Sequence, residues 1–194
     1  MTFLLFRISE HAMDEIALLL SNTRPPLAGG VPGCDYEHLF PDREPKWRFA
    51  RLYETAPPLD EALKSVAGDA SAVALKAEPL AARIGGPTPG PVALWVVLTN
   101  PVEGKEAEFN DWYDGRHVDD TLAIPGFVSG HRFKVTATAG GEPLPWRYLA
   151  FYEIELDRAA ESLAEAAARA GGPKMPNPGY LAPGVGALPF KPVV

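Results

Sequence analysis

The chain has 194 residues, 46% apolar and 22% charged, with 18 basic against 25 acidic side chains and a net charge of −7. That length allows one or two domains with a sizeable core, and the acidic balance argues against a nucleic-acid partner, which needs clustered cations. No apolar run approaches the roughly 20 residues of a membrane span, and the lone Cys34 cannot form an internal disulfide, so a reducing, cytoplasmic setting is expected.

In chain order, Phe3–Phe6 reads as a strand and not as a signal peptide, because it lacks a basic start and a small-residue cleavage site. A short first helix is predicted from His11 to Leu20. Cys34, Tyr36, His38 and Phe40 alternate on one face of a strand, and a second strand runs through Trp47, Phe49, Arg51 and Tyr53. A helix from Leu59 to Val66 and a strand at Ala72–Ala77 follow. Gly85-Gly86-Pro87-Thr88-Pro89-Gly90-Pro91 can hold neither a helix nor a central strand. It divides the chain into residues 1–86 and 91–194, with 87–91 as linker. Beyond it are predicted a strand at Val92–Thr99 and a helix at Glu103–Ala123, stopped by Ile124-Pro125-Gly126. Strands at Phe127–Val135 and Trp146–Glu155 come next. Asp157 is positioned to cap a helix running to Ala170, and a last strand falls within Val185–Val194.

A weak repeat organises this pattern. Pro32-Gly33, His38, Trp47-Arg48 and Tyr53-Glu54 recur in order as Pro125-Gly126, His131, Trp146-Arg147 and Tyr152-Glu153. Five residues separate glycine from histidine in both, and six separate tryptophan from tyrosine. The expected fold class is α+β: two ferredoxin-like βαββαβ repeats whose antiparallel sheets pack into one barrel. The aromatic strand face of Trp146, Tyr148, Ala150 and Tyr152, matched by Trp47, Phe49, Arg51 and Tyr53, is expected to line a ligand-bearing interior or to serve as plain core. The aliphatic face of Leu149 and Phe151, matched by Ala50 and Leu52, suits helix packing.

On the Glu103–Ala123 helix, Phe109, Tyr113 and His117 share a stripe, and Asp114 and Asp120 flank His117 three residues away on either side. A carboxylate beside an imidazole raises its basicity, as a general base requires. The plainer reading is a solvated helix end, where the dipole favours histidine. His38 and His131 either line opposite sides of one cavity or are hydrogen-bonded core residues. Arg51 either meets a substrate carboxylate or phenolate or forms a salt bridge to Asp35 or Glu37. Arg48 and Arg147 at strand starts read as structural. A metal site is not expected, since His38, His131 and Asp35 lack the close spacing of known sites. No Walker loop, GxGxxG or GxSxG is present.

The stretch from Phe109-Asn110-Asp111-Trp112-Tyr113-Asp114-Gly115-Arg116-His117 to Pro125-Gly126-Phe127, continuing through Arg132-Phe133 and Arg147-Tyr148-Leu149-Ala150-Phe151-Tyr152-Glu153, resembles the EthD-type dimeric α/β-barrel superfamily. The resemblance covers residues 92–157 and reaches the first copy only through the repeat; there Leu27-Ala28-Gly29-Gly30 stands in place of the motif-bearing helix. It implies a tandem duplication forming one barrel, and a superfamily of cofactor-free enzymes acting on aromatic and polyketide-like molecules, with metal-free monooxygenases and distant haem binders. The leading expectation is therefore a lyase or isomerase using no cofactor. His117 is its acid/base, with Tyr113, Asp114 and Asp120 assisting. A small aromatic substrate sits among Arg51, His38, His131, Trp47, Tyr53, Trp146, Tyr148 and Tyr152. The alternatives are a haem-binding or cofactor-independent oxygenase barrel and a non-catalytic ligand-binding protein. The expected assembly is a monomeric pseudo-dimer or a homodimer.

Overall fold

The computed structural model describes residues 15–26, 33–53, 55–86, 88–141 and 143–193. Strands β1 (Ile16–Ser21), β2 (Cys34–His38), β3 (Phe49–Tyr53) and β4 (Val73–Pro79) come first, with α1 (Leu59–Lys64) between β3 and β4. A two-residue β5 (Ile84–Gly85) leads to β6 (Val92–Thr99). Then follow α2 (Glu106–Trp112), a π-helical turn (Tyr113–His117), α3 (Val118–Leu122), β7 (Phe127–Gly140), β8 (Tyr148–Glu155), α4 (Ala159–Arg169) and β9 (Gly186–Pro192).

Eight strands close into a ring. Their order is β4-β1-β3-β2-β9-β6-β8-β7, and β7 pairs back onto β4; β5 adds to the far end of β7. Every pairing between strands is antiparallel. The strands β1–β4 lie in the order 4-1-3-2, and β6–β9 repeat that order. Eight strands leave an interior just wide enough for side chains to fill. Here it holds Leu18, Leu20, Leu52, Leu75, Leu94, Val96, Phe133, Leu149, Phe151 and Phe190.

The two faces of the sheet are the reverse of the expectation. Ala50, Leu52, Leu149 and Phe151 point into the barrel, while Tyr148, Ala150 and Tyr152 pack outward under α2, α3 and α4, and Tyr53 under α1. The physical reason is volume: a ring this narrow is filled largely by aliphatic and phenyl side chains, which leaves Tyr148 and Tyr152 to the layer between sheet and helices. The two tryptophans do not follow the strands behind them. Trp47 and Trp146 precede β3 and β8, where strict alternation has not begun, and fold over the barrel core. Each indole N–H donates to a carbonyl ahead of its half's last strand, Trp47 to Ser71 (2.9 Å) and Trp146 to Gly184 (2.6 Å).

Several elements differ from the sequence pattern. The expected helix at His11–Leu20 is strand β1 over its described part. Its run Ile16-Ala17-Leu18-Leu19-Leu20 is buried on both faces and so shows no alternation. Phe3–Phe6, His11, Leu27–Gly30, Pro32 and Glu54 lie outside the described residues. Strand β7 runs five residues past Val135, because residues 133–140 pair with β4 across the seam. Asp157 sits in a 3₁₀ turn, Leu156–Arg158, and the N-cap of α4 is Arg158, which makes no side-chain capping bond. No described helix is long and apolar enough to cross a membrane.

Candidate functional site

The expected helix Glu103–Ala123 is broken at its middle. At Tyr113–His117 the backbone bonds i to i+5, with Val118 N–H donating to the Tyr113 carbonyl. Single π turns of this kind are frequent at functional sites. The extra residue places the His117 ring between the two aromatics before it. It stacks on Trp112 at 4.5 Å and 31°, and meets Tyr113 edge-on at 4.7 Å. Tyr113 and Tyr152 are fully buried, one from the helix layer and one from β8 below it.

Four polar atoms in this layer have no hydrogen-bond partner among the described residues: Trp112 Nε1, Tyr113 Oη, His117 Nδ1 and Tyr152 Oη. The Tyr113 and Tyr152 hydroxyls lie near enough to act on each other's ionisation, and Thr121 acts on Tyr152 likewise, although none of these approaches closes to full hydrogen-bonding geometry. Buried polar groups are normally satisfied, so four orphans in one layer mark a place where something else supplies the partner. Burial fixes their protonation. It lowers His117 to about 4, against a weaker opposing pull from the Asp120 carboxylate. It raises Tyr113, and raises Tyr152 well above the ordinary phenol value. At neutral pH the site therefore presents a neutral imidazole, two neutral phenols and an indole N–H.

Beside them is an arginine that the sequence reading did not single out. Arg132, on the outward face of β7, is 3% exposed and donates to Asp114 Oδ1 (2.6 Å) and Asn110 Oδ1 (2.8 Å). Its guanidinium lies 4.1 Å from the Tyr113 ring centroid. Asp114 thus serves Arg132, and Asp120 pairs with Arg116 at 3.1 Å, so neither carboxylate bonds to the orphaned His117 Nδ1. Tyr148 donates to Glu106 and tethers α2 to the sheet. Trp112, Asn110 and Arg132 carried one usable signal: all three fall within the segments that carry the family resemblance noted from the sequence.

The remaining candidates lie elsewhere. Arg51 is buried on the outward face of β3, with Nε 2.5 Å from Asp35 Oδ1 and Nη2 donating to Asp35 Oδ2 (2.7 Å) and the Pro26 carbonyl (2.6 Å). His38 and His131 both point to the barrel interior. His38 Nδ1 accepts from Phe40 N–H (3.1 Å), and its ring is edge-on to Phe190. His131 Nε2 lies 3.0 Å from the Ala81 carbonyl and its ring packs on Phe133. Burial lowers the pKa of both. They are not counterparts in the two halves. His38 N–H donates to the Arg48 carbonyl as Val135 N–H does to Arg147, and the strand opposite each confirms the match of His38 with Val135. The equal glycine-to-histidine spacing is coincidental, since the counterpart of Gly33 is Gly130 and not Gly126. Among the described residues, no group of three His, Cys, Asp or Glu side chains is placed to hold a metal ion.

No family model matches the chain, and no curated protein does. Solved structures do resemble it. A protein described as anthrone oxidase-like is 13% identical, covers 96% of this chain and 94% of its own, and superposes with a TM-score of 0.55. A major regulator of staphylococcal pathogenesis is 11% identical over 92% of this chain and 99% of its own, at 0.54. A Listeria monocytogenes ferredoxin-fold protein related to antibiotic biosynthesis monooxygenases is 10% identical over 93% and 96%, at 0.45. The fold is thus an α+β closed antiparallel barrel, which the first two of these structures share.

Proposed function

We propose that the chain is a cofactor-free enzyme that moves a proton on an apolar, aromatic or polyketide-like substrate bearing a phenol or enolisable carbonyl. The observation that carries this is the group of four orphaned polar atoms under the π turn, with a neutral imidazole among them. His117 Nδ1 accepts or returns the proton. The Tyr113 and Tyr152 hydroxyls and Trp112 N–H donate to the oxygen that gains charge, in a water-poor layer where such bonds are strongest. Arg132, 4.1 Å from the Tyr113 ring, adds a fixed positive field. In this reading the barrel is a tandem duplication of EthD type, which the repeated 4-1-3-2 strand order supports.

Proton abstraction leads either to elimination or rearrangement, as in a lyase or isomerase, or to oxidation by dioxygen. The likeness to an anthrone oxidase-like protein favours the second. In that course a ring CH₂ loses its proton to His117, the carbanion takes up O₂, and loss of one water leaves a carbonyl. One experiment separates the steps. Anthrone is incubated with the protein in D₂O without oxygen, and deuterium entry at its CH₂ is followed; oxygen is then admitted and its uptake measured. Exchange with uptake supports the oxygenase course, and exchange alone supports a lyase or isomerase. Exchange equal in wild type and His117→Ala would sink the assignment of the base.

A further inference from the structure

The two halves of the barrel are matched residue by residue through their pairings, and the match shows what replaces the site in the first half. Asn22 and Trp47 correspond to Asn100 and Trp146 by equivalent bonds between side chain and backbone. Counting along the strands, Tyr53 corresponds to Tyr152, Arg51 to Ala150 and Asp35 to Arg132. Gly33 likewise corresponds to Gly130. A Cβ on Gly130 would lie 3.0 Å from the Tyr152 ring, and one on Gly33 3.3 Å from that of Tyr53, so each glycine leaves room for its tyrosine.

The surroundings of the two tyrosines differ. Tyr152 lies under α2, the π turn and α3, and its hydroxyl, with the Tyr113 and Thr121 hydroxyls near it, closes no full hydrogen bond. Between β6 and β7 there are 27 residues, 100–126; between β1 and β2 there are twelve, 22–33, including Pro25-Pro26. Twelve residues cannot supply the helical stretch that carries Trp112, Tyr113 and His117 and still join two strands. In the first half, moreover, the small Ala150 is replaced by Arg51, whose guanidinium is held by Asp35 and Pro26 and interacts with the Tyr53 hydroxyl.

We infer that the chain binds one ligand, against Tyr113 and Tyr152 in the second half, and that in the first half the protein's own Arg51 occupies the equivalent place as a permanent internal ligand. This rests on the proposed site under the π turn. It makes Arg51 and Asp35 structural partners, and confines recognition of an aromatic hydroxyl or carbonyl compound to one side of a barrel whose strand order repeats.

The test uses the full chain with ¹³C-labelled tyrosine rings, assigned through single Tyr→Phe variants. Phenol, catechol and 1,8-dihydroxyanthraquinone are titrated in turn. The expected result is joint movement of the Tyr113 and Tyr152 signals, saturating at one ligand per chain, with Tyr53 unmoved. Movement of Tyr53, or saturation at two per chain, overturns the inference and leaves the proposed function standing. No movement at any tyrosine with any probe overturns both. The double variant Ala150→Arg/Arg132→Asp transplants the first half's ion pair into the second. It should weaken binding more than tenfold with the far-UV circular dichroism unchanged, and undiminished binding in a folded variant would overturn the inference.

Discussion

Asn22 and Asn100 make the same brace at opposite positions in the ring. Each follows the last residue of a strand, β1 or β6, and clamps the backbone on either side of a tryptophan. Asn22 Nδ2 donates to the Lys46 carbonyl (2.9 Å) and its Oδ1 accepts from Arg48 N–H (3.0 Å). Asn100 does so with Pro145 (2.7 Å) and Arg147 (2.9 Å). The amide is the one side chain of this length that offers a donor and an acceptor side by side.

Asn100→Ala should therefore lose about 1–3 kcal/mol, the worth of two hydrogen bonds, and Asn22→Ala somewhat more, because Asn22 Nδ2 also donates to Ser71 Oγ (3.0 Å). They share no partner, so the double variant should lose the sum to within about 0.5 kcal/mol. Urea denaturation of the four proteins measures this; Asn→Asp, which keeps only the acceptor, should fall between.

Stability should drop on mild acidification. Burial holds His117 at about 4, while an unfolded histidine titrates near 6.5. Between those values the unfolded chain binds a proton that the folded chain refuses, so stability falls as pH goes from about 6.5 to about 4 and levels off below. His117 alone contributes roughly 3 kcal/mol to this fall; His38 and His131, lowered in the same direction, add to it. Thermal melts across this range should flatten in His117→Gln, and an equally steep profile in that variant would count against the cause.

Loss of His117 should lower proton exchange at the substrate carbon by about 10²–10⁴-fold, as for a general base. A base held near 4 stays unprotonated in mildly acidic buffer, so the wild-type rate should hold to about pH 5. A rate limb centred near 6.5 would point to a different group.

The Arg132–Asp114 pair should respond unequally to its two truncations. Asp114→Ala strands a guanidinium that is 3% exposed, and should cost about 3–5 kcal/mol. Arg132→Leu leaves a carboxylate whose side chain is 42% exposed and can turn to water, so it should cost about 1–3 kcal/mol. Denaturation midpoints that reversed this order would mean that the pair is held for reasons other than burial.

How much of this the sequence revealed depended on where each residue's partners lie. Val92–Thr99, the helix ending near Arg169 and the strand through Tyr148 were legible because their patterns are local. Ile16–Ser21 was not, since a barrel strand covered on both faces carries no period. Tyr113 and His117 stood out as a helical pair, but Trp112 joins them only through the π turn, which periodicity cannot foresee. Arg132 joins from another strand. Trp47 and Trp146 do meet the interior, but Tyr53, Tyr148 and Tyr152 do not share their face, because alternation holds only from Phe49 and Tyr148, where the strands begin.

The ring has two seams between its halves, and they are unequal. At β4–β7 seven residue pairs face each other, whereas at β2–β9 there are three, one of them Tyr36 with Pro192, which has no N–H to give. Beyond those pairs the short seam is fastened by Leu39 N–H on Pro189 and Val193 N–H on Asp35. Breathing should begin there, with the amides of Leu39 and Val193 exchanging before those along Val73–Ala77. The molecule thus behaves as a bracelet with one hinge and one clasp, and the strand that snaps the clasp shut is β9, the last to be made.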